Sequence, residues 1–229
     1  MKELLGSPLF GIIVSIAAYE IGLFINKKTG FAVFNPLLLS IVIIIVFLSC
    51  FHIKLDDYNN GGSIISIFLG PATVILAVPL YSKLDILKNN LKEIITGIIV
   101  GSLTSISSVL ILSRLFGLNK SMMLSLIPKS ITTPVGMELS KEIGGIPSIT
   151  VAAIIITGII GAIIGPTVCK IFRIKDKVAV GIAIGTSSHA IGTTKAMELG
   201  ETEGAMSGLA IGISAIITVI ITTVLVRFI

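Results

Sequence analysis

Long apolar runs constrain this chain more than any other feature of its sequence. Charged residues make up 13% of the 229 positions, whereas a soluble domain carries about 25%. A helix needs roughly 20 mostly apolar residues to cross a bilayer. The sequence therefore predicts an all-α, polytopic transmembrane helical bundle in a lipid bilayer, with about eight hydrophobic segments at residues 7–26, 32–51, 62–83, 91–113, 120–140, 147–171, 177–199 and 204–228.

Short charged or turn-forming groups separate these segments, and one of them covers residues 52–60. None is long enough to divide domains, so we expect one integral membrane domain over residues 1–229. If every segment crosses, the distribution of Lys and Arg favours both termini in the cytoplasm. A re-entrant segment would change that count. The net charge is +5, but the basic residues form small groups rather than a stripe, which argues against nucleic-acid binding.

Helix breakers interrupt the third, fifth and seventh segments midway. Irregular backbone at membrane depth survives only where protein or a water-filled cavity satisfies its polar groups. We expect Pro71 and Pro128 each to begin a second half-helix, where the missing N–H costs little. The pattern predicts discontinuous helices around a functional cavity, with plain proline kinks as the alternative. The helix-break residues are Gly70, Pro71, Thr73, Pro128, Pro134, Gly185 and Gly192.

Two of the broken segments also look like copies of each other. A shift of 60 positions lays residues 131–139 (ITTPVGMEL) on residues 191–199 (IGTTKAMEL), with five identities in nine. This similarity predicts internal repeats. The fourth, sixth and eighth segments differ, because they carry glycines four residues apart, as closely packed membrane helices do. These glycines are Gly97 and Gly101, Gly161 and Gly165, then Gly204, Gly208 and Gly212.

The broken segments carry the candidate substrate-binding residues. An ammonium near a helix centre costs roughly 2.5–3.5 kcal/mol on insertion scales, so Lys129 is expected to bind a small carboxylate unless it reaches an interface. His189 is either a proton-coupling group or a structural histidine that closes the broken helix. The substrate-binding candidates are Lys129, Ser130, Thr132, Thr133, Ser187, Ser188, His189, Thr193 and Thr194.

Enzyme chemistry has little support in this sequence. There is no HExxH motif, no second histidine close to His189 in the sequence, and no phosphate-binding loop. Adjacent Ser188 and His189 do not make a dyad, because a nucleophile and its base must face each other. We therefore expect no enzyme activity, no metal site and no cofactor.

Three stretches resemble the signature regions of the LrgB/CidB family. They are residues 69–81 (LGPATVILAVPLY), 127–134 (IPKSITTP) and 185–204 (GTSSHAIGTTKAMELGETEG), and the resemblance extends over essentially the whole chain. It implies a multi-pass protein of the bacterial inner membrane that acts with a smaller LrgA/CidA-type membrane partner. Family proteins are described as antiholin-like or holin-like modulators of murein hydrolase activity and cell lysis. Plastid relatives resemble glycolate/glycerate transporters, and some bacterial pairs are linked to pyruvate uptake.

Two functions follow from the sequence. The first is a membrane transporter subunit for small carboxylates such as pyruvate, glycolate or glycerate, with its site at the broken helices near the bilayer midplane. The alternative is an antiholin-like or holin-like protein that controls lysis by oligomerising through its glycine-rich faces. Proton coupling and a homo-oligomer are left open in both.

Overall fold

The computed structural model describes residues 6–29, 34, 36–68, 71, 81 and 84–228 of the chain. All regular elements within these residues are helical. Four of the helices are long and apolar enough to cross a membrane, namely Pro8–Thr29, Leu91–Leu115, Pro147–Ile171 and Glu201–Phe228. These findings confirm the helical membrane class. The described residues form two compact units, Met1–Ile75 and Leu76–Ile229, and each is described by itself.

The first unit contains α1 (Pro8–Thr29), α2 (Pro36–Cys50) and α3 (Leu55–Ile67). An added Cβ on Gly11 of α1 would lie 3.0 Å from the Gly61 Cα of α3, so these backbones nearly touch. The Ser15 hydroxyl lies 2.7 Å from the Tyr58 hydroxyl at the same contact.

The prediction that residues 52–60 separate two helices is therefore wrong from Leu55 onward, because this polar stretch packs as a helix against α1. Gly70 and Thr73 lie outside the described residues. The helix break around Pro71 stays a prediction.

The second unit places three continuous helices, α5, α8 and α10, among shorter or broken ones. The continuous helices agree with the fourth, sixth and eighth predicted segments. In chain order the elements are α4 (Leu84–Asn89), α5 (Leu91–Leu115), α6 (Lys120–Leu126), a 3₁₀ turn (Ile127–Ser130), α7 (Thr133–Glu142), α8 (Pro147–Ile171), α9 (Lys177–Leu199), α10 (Glu201–Leu225) and a 3₁₀ turn (Val226–Phe228).

Residues 120–142 fold back on themselves as a helical hairpin, which we call the first hairpin. The Thr150 Oγ1 atom of α8 lies 2.8 Å from the Ser125 carbonyl oxygen and 2.7 Å from the Ser140 Oγ. Ser125 in the first arm of the hairpin and Ser140 in the second arm therefore both contact Thr150 of α8. The Ser121 hydroxyl also donates to the Gly144 carbonyl at 3.3 Å. The segment thus starts and finishes at one end of the unit, which we call the upper end.

The prediction that Pro128 begins the second half-helix is wrong, because Pro134 lies in the first turn of that helix. Pro128 lies in the 3₁₀ turn. The chain then runs extended through Ile131 and Thr132, with ψ of 177° and 147°, before α7 begins. The reversal needs this extended stretch, and Pro134 follows it at a position whose N–H has no intrahelical partner.

Residues 177–199 form a second hairpin, which reverses at His189 with φ 41° and ψ −138°. In the first arm, an added Cβ on Gly185 would lie 2.8 Å from the Ser207 Cα of α10. In the second arm, the Thr193 Oγ1 lies 2.7 Å from the Ser207 Oγ. Both arms therefore contact the same turn of α10, which a straight helix of 23 residues cannot do.

The two hairpins enter the unit from opposite ends. α8 begins beside the first hairpin and finishes at the other end, which we call the lower end, where the second hairpin starts and finishes. The 3₁₀ turn of the first hairpin contacts the second hairpin inside the unit. The structure therefore favours the re-entrant alternative for residues 120–140 and 177–199, which the sequence analysis left open, and both segments are broken inside the predicted stretches.

The hairpin topology predicts how single cysteines react from each side of a membrane. In a variant with Cys50 and Cys169 replaced by serine, we expect Lys120→Cys and Lys141→Cys to be labelled by a membrane-impermeant maleimide from one side. Lys175→Cys and Glu201→Cys should be labelled only from the other side. Labelling of Lys120→Cys and Lys141→Cys from opposite sides would contradict the first hairpin.

Candidate functional site

A cavity of about 1100 Å³ lies in the second unit between α5 and α8, against the first arm of the second hairpin. Asn90, Glu93 and Asp176 line it at the lower end. At its inner end it reaches Lys129 in the turn of the first hairpin and Ser188 in the turn of the second. The structure thus brings residues from the two broken segments to one space, as the sequence predicted.

Lys129 is held at the inner end by two hydroxyl groups. Its Nζ donates to the Ser105 Oγ at 3.3 Å and to the Ser130 Oγ at 3.2 Å, and these two oxygens lie 2.9 Å apart. Among the described residues, no carboxylate lies within 4.0 Å of the ammonium. Glu93, on the same cavity wall as Ser105, is 12 residues away, or about 18 Å along the helix. The two hydrogen-bond partners of the Lys129 side chain are therefore uncharged.

The wall formed by α5 carries polar residues that the sequence analysis missed. Thr104, Ser105 and Ser108 line the cavity together with Lys129. They belong to the stretch SLTSISS at residues 102–108. Five hydroxyl residues in seven positions of an apolar helix were a usable signal. α5 has no helix breaker, so helix breaks alone do not indicate a site on it.

The second hairpin adds hydroxyl groups from the end of its first arm. The Ser187 and Ser188 Oγ atoms lie 3.0 Å apart and both residues line the cavity. Thr186 lines it too, and its buried Oγ1 has no hydrogen-bond partner among the described residues. A buried hydroxyl without a partner costs roughly 1–3 kcal/mol. Thr186 was not predicted as a site residue.

Five of the predicted site residues do not line this cavity. Thr132 and Thr133 lie beyond the turn of the first hairpin, at the start of α7. The Thr193 Oγ1 donates to the His189 carbonyl at 3.0 Å, and the exposed Thr194 donates to the Ile191 carbonyl at 2.7 Å. These bonds satisfy backbone oxygens near the break, so the threonines of the second arm support the hairpin.

His189 is buried at the reversal of the second hairpin. Its Nε2 lies 3.0 Å from the Ile154 carbonyl oxygen of α8 and therefore donates to it. The cavity lining does not include His189. This placement matches the structural alternative, a histidine that closes the broken helix. Among the residues that the structure describes, no group of three His, Cys, Asp or Glu side chains could hold a metal ion.

Two glycines let the second hairpin approach its neighbours. An added Cβ on Gly161 of α8 would lie 2.7 Å from the Ser188 Cβ and would overlap the Ser188 Oγ. An added Cβ on Gly101 of α5 would lie 2.8 Å from the Thr186 Cγ2. One turn away, Gly165 and Gly97 leave ordinary contacts of 3.6 Å. The glycine spacing therefore serves the broken hairpin as much as the packing of continuous helices.

Comparison with known proteins places the chain in a family. The model of the LrgB-like family matches residues 15–228. The chain belongs to the LrgB-like family. It is 42% identical to the antiholin-like protein LrgB of Bacillus subtilis (strain 168), over 97% of both chains. It is 40% identical to the proteins of that name in Bacillus cereus (strain B4264) and Bacillus anthracis (strain CDC 684 / NRRL 3495), again over 97% of both. No solved structure matches it.

The close contact at Gly161 predicts unequal effects of two matched substitutions. Gly161→Ala should displace Ser188 and lower the free energy of unfolding by about 1–3 kcal/mol, the usual cost of overpacking. Gly165→Ala, one turn along the same helix, should change it by less than about 0.5 kcal/mol. Thermal unfolding of the purified protein in detergent measures both. Equal effects of the two variants would show that the Gly161 contact is not a constraint.

The positive φ at His189 predicts an order of stability among variants. His189→Ala loses the hydrogen bond to Ile154 and keeps a Cβ in a backbone region that favours glycine. His189→Gly loses the same bond but relieves that strain, so it should unfold at a higher temperature than His189→Ala. We expect a difference of about 1 kcal/mol. The reverse order would mean that the reversal at His189 is not strained.

Proposed function

We propose that this protein is a transporter subunit for small carboxylates, which bind between the turns of its two hairpins. The observation that carries the proposal is the Lys129 side chain, which lies at the inner end of a large cavity between two hydroxyls, with no carboxylate of the described residues within 4.0 Å. Leaving a partly buried cation without an opposite charge is costly. A carboxylate supplies the charge and the acceptor oxygens together.

The inner end of the cavity favours an anion with one carboxylate. Of the cavity's lining residues in the described part of the chain, Lys129 alone is basic, and the two acidic residues, Glu93 and Asp176, lie at the lower end, so Lys129 can compensate one negative charge. The hydroxyls of Thr186, Ser187 and Ser188 suit a second oxygen on the same ligand, as in a 2-hydroxy or 2-keto acid. Pyruvate, glycolate and glycerate fit this description.

An inverted repeat would supply the means of transport. The Ser125–Thr150 contact of the first hairpin corresponds, 60 positions later, to Gly185 and Ala210, where an added glycine Cβ would lie 2.9 Å from the Ala210 Cβ. The two hairpins also enter from opposite ends. Repeats of opposite orientation around a central site are the usual basis of alternating access in secondary transporters.

Charge supports an orientation for the second unit in a bacterial plasma membrane. The positive-inside rule puts the more basic end in the cytoplasm. By this rule the lower end is cytoplasmic and the C-terminus lies outside, which differs from our expectation of a cytoplasmic C-terminus. The lower end has Lys88, Lys92, Lys170, Arg173, Lys175, Lys177 and Lys195, and the upper end has Arg114, Lys120, Lys141 and Arg227.

Lysis control through oligomerisation is the second candidate function. The relatives carry the name antiholin-like protein. An added Cβ on Gly212 of α10 meets no atom within 4 Å, so within the described chain this glycine does not serve internal packing. A face that leaves such a glycine open suits contact with a second copy or with a small LrgA/CidA-type partner.

The transport proposal predicts the effect of removing the Lys129 charge. Proteoliposomes containing this protein with an LrgA/CidA-type partner should take up labelled pyruvate, glycolate or glycerate. Lys129→Gln should lower the initial rate at least tenfold, because the substrate carboxylate loses its ionic partner. Lys195→Gln is the matched control, since Lys195 is exposed and pairs with Glu198 at 2.6 Å. It should keep the wild-type rate.

Lysis assays on the same variants separate the two functions. If Lys129→Gln transports like the wild type, Lys129 does not bind the substrate. If lysis control survives Lys129→Gln but fails when Gly208 or Gly212 is replaced by leucine, oligomerisation is the better account.

A further inference from the structure

We propose that Lys129 itself carries one proton with each carboxylate, so that the anion and the proton cross the membrane together. This inference rests on the transport function proposed above and adds the coupling ion and its carrier. During transport the Lys129 site must adopt two states, one empty and one occupied by a carboxylate.

In the empty site, the surroundings of Lys129 suit a neutral amine. Its partners are the Ser105 and Ser130 hydroxyls, at 3.3 Å and 3.2 Å, and neither carries a charge. A neutral amine has two N–H groups, which match these two oxygens one to one. Burial without a counter-charge favours the uncharged form of an amine. The empty carrier can therefore change its exposure without moving a bare charge through the bilayer.

In the occupied site, the carboxylate favours the ammonium. The amine takes up one proton and becomes –NH₃⁺, whose third N–H is free for a substrate oxygen while the two serines keep theirs. Binding of the anion and binding of the proton then favour each other by the same factor. On the other side, the carboxylate leaves and the ammonium returns its proton to water. The balance for one cycle is one carboxylate, one proton and no net charge.

Other titratable groups around Lys129 are poorly suited to carry this proton. The elements that pack against its turn are α5, α6, α7, α8 and α9. Among their described residues at the depth of the turn, His189 is the nearest titratable group, and its Nε2 is committed to the Ile154 carbonyl. Of the remaining groups, Glu138 is exposed in the middle of α7, and Lys195 is paired with Glu198. The others lie toward the ends of these helices, and they are Lys92, Glu93, Arg114, Lys120, Lys141, Glu142, Cys169, Lys170 and Lys177.

The proposal predicts electroneutral uptake by the wild-type protein. Proteoliposomes with acidic outside buffer should accumulate labelled pyruvate at least tenfold above those without a pH gradient. A potassium diffusion potential set with valinomycin should leave the rate unchanged at either sign. Acceleration by an inside-positive potential would overturn the proposal, because it would mean that the anion crosses uncompensated. Uptake that follows a sodium gradient instead of the pH gradient would overturn it too.

Lys129→Arg tests the carrier, because a guanidinium binds a carboxylate but does not release its proton. Exchange of external labelled pyruvate for internal pyruvate needs no return of the empty carrier, so the variant should lose pH-driven net uptake at least tenfold more than it loses exchange. Lys195→Arg is the matched control and should keep both activities.

The outcomes separate the two proposals. Net uptake by Lys129→Arg equal to that of the wild type would overturn Lys129 as the proton carrier and leave the transport function standing. Equal losses of exchange and net uptake in Lys129→Arg would also overturn Lys129 as the proton carrier, because the variant would then have lost substrate binding alone. Failure of the wild-type protein to take up or exchange pyruvate, glycolate and glycerate would overturn the proposed function itself.

Discussion

Unwound backbone inside a membrane protein must find its hydrogen-bond partners within the protein, and the architecture of the second unit depends on this constraint. At the first hairpin, Ser125, Ser140 and Thr150 form a fully buried hydroxyl cluster that ties both arms to α8. At the second, the Thr193 hydroxyl bonds the His189 carbonyl, and the imidazole bonds α8. The hydroxyl residues of the broken segments are therefore needed for the fold before they are needed for any ligand.

Satisfying the two breaks also creates the site. Each hairpin stops partway through the unit, and the turn of the first hairpin contacts the second hairpin instead of continuing to the far end. This leaves a space between α5 and α8 that extends from Glu93 and Asp176 at the lower end to Lys129. Gly161 and Gly101 allow Ser188 and Thr186 to come close to these walls. A cavity whose inner end carries hydroxyls and one amine is thus a consequence of two helices that turn back.

The transport function proposed here would also account for lysis control. A carrier of small acids that moves a proton with each anion would alter the acidity and the carbon supply of the cell. Lysis control can follow from such a flux without direct contact with a murein hydrolase. An oligomeric assembly that uses the open face of α10 is compatible with the same unit, because that face lies apart from the Lys129 cavity lining.

The sequence by itself determined the helical membrane class, the positions of the breaks in residues 120–142 and 177–199, and the presence of Lys129 among hydroxyl residues. Each follows from hydropathy and from residues that cannot continue a helix. The tertiary structure alone decided that the two broken segments turn back and that Pro134 rather than Pro128 lies in the first turn of α7. It also decided that Lys129 donates a hydrogen bond to Ser105 as well as to Ser130. Hydropathy indicates whether a residue is shielded from water, but it does not show whether the chain continues across the unit or turns back. The direction was fixed by the contacts of both arms with one turn of α8 or α10.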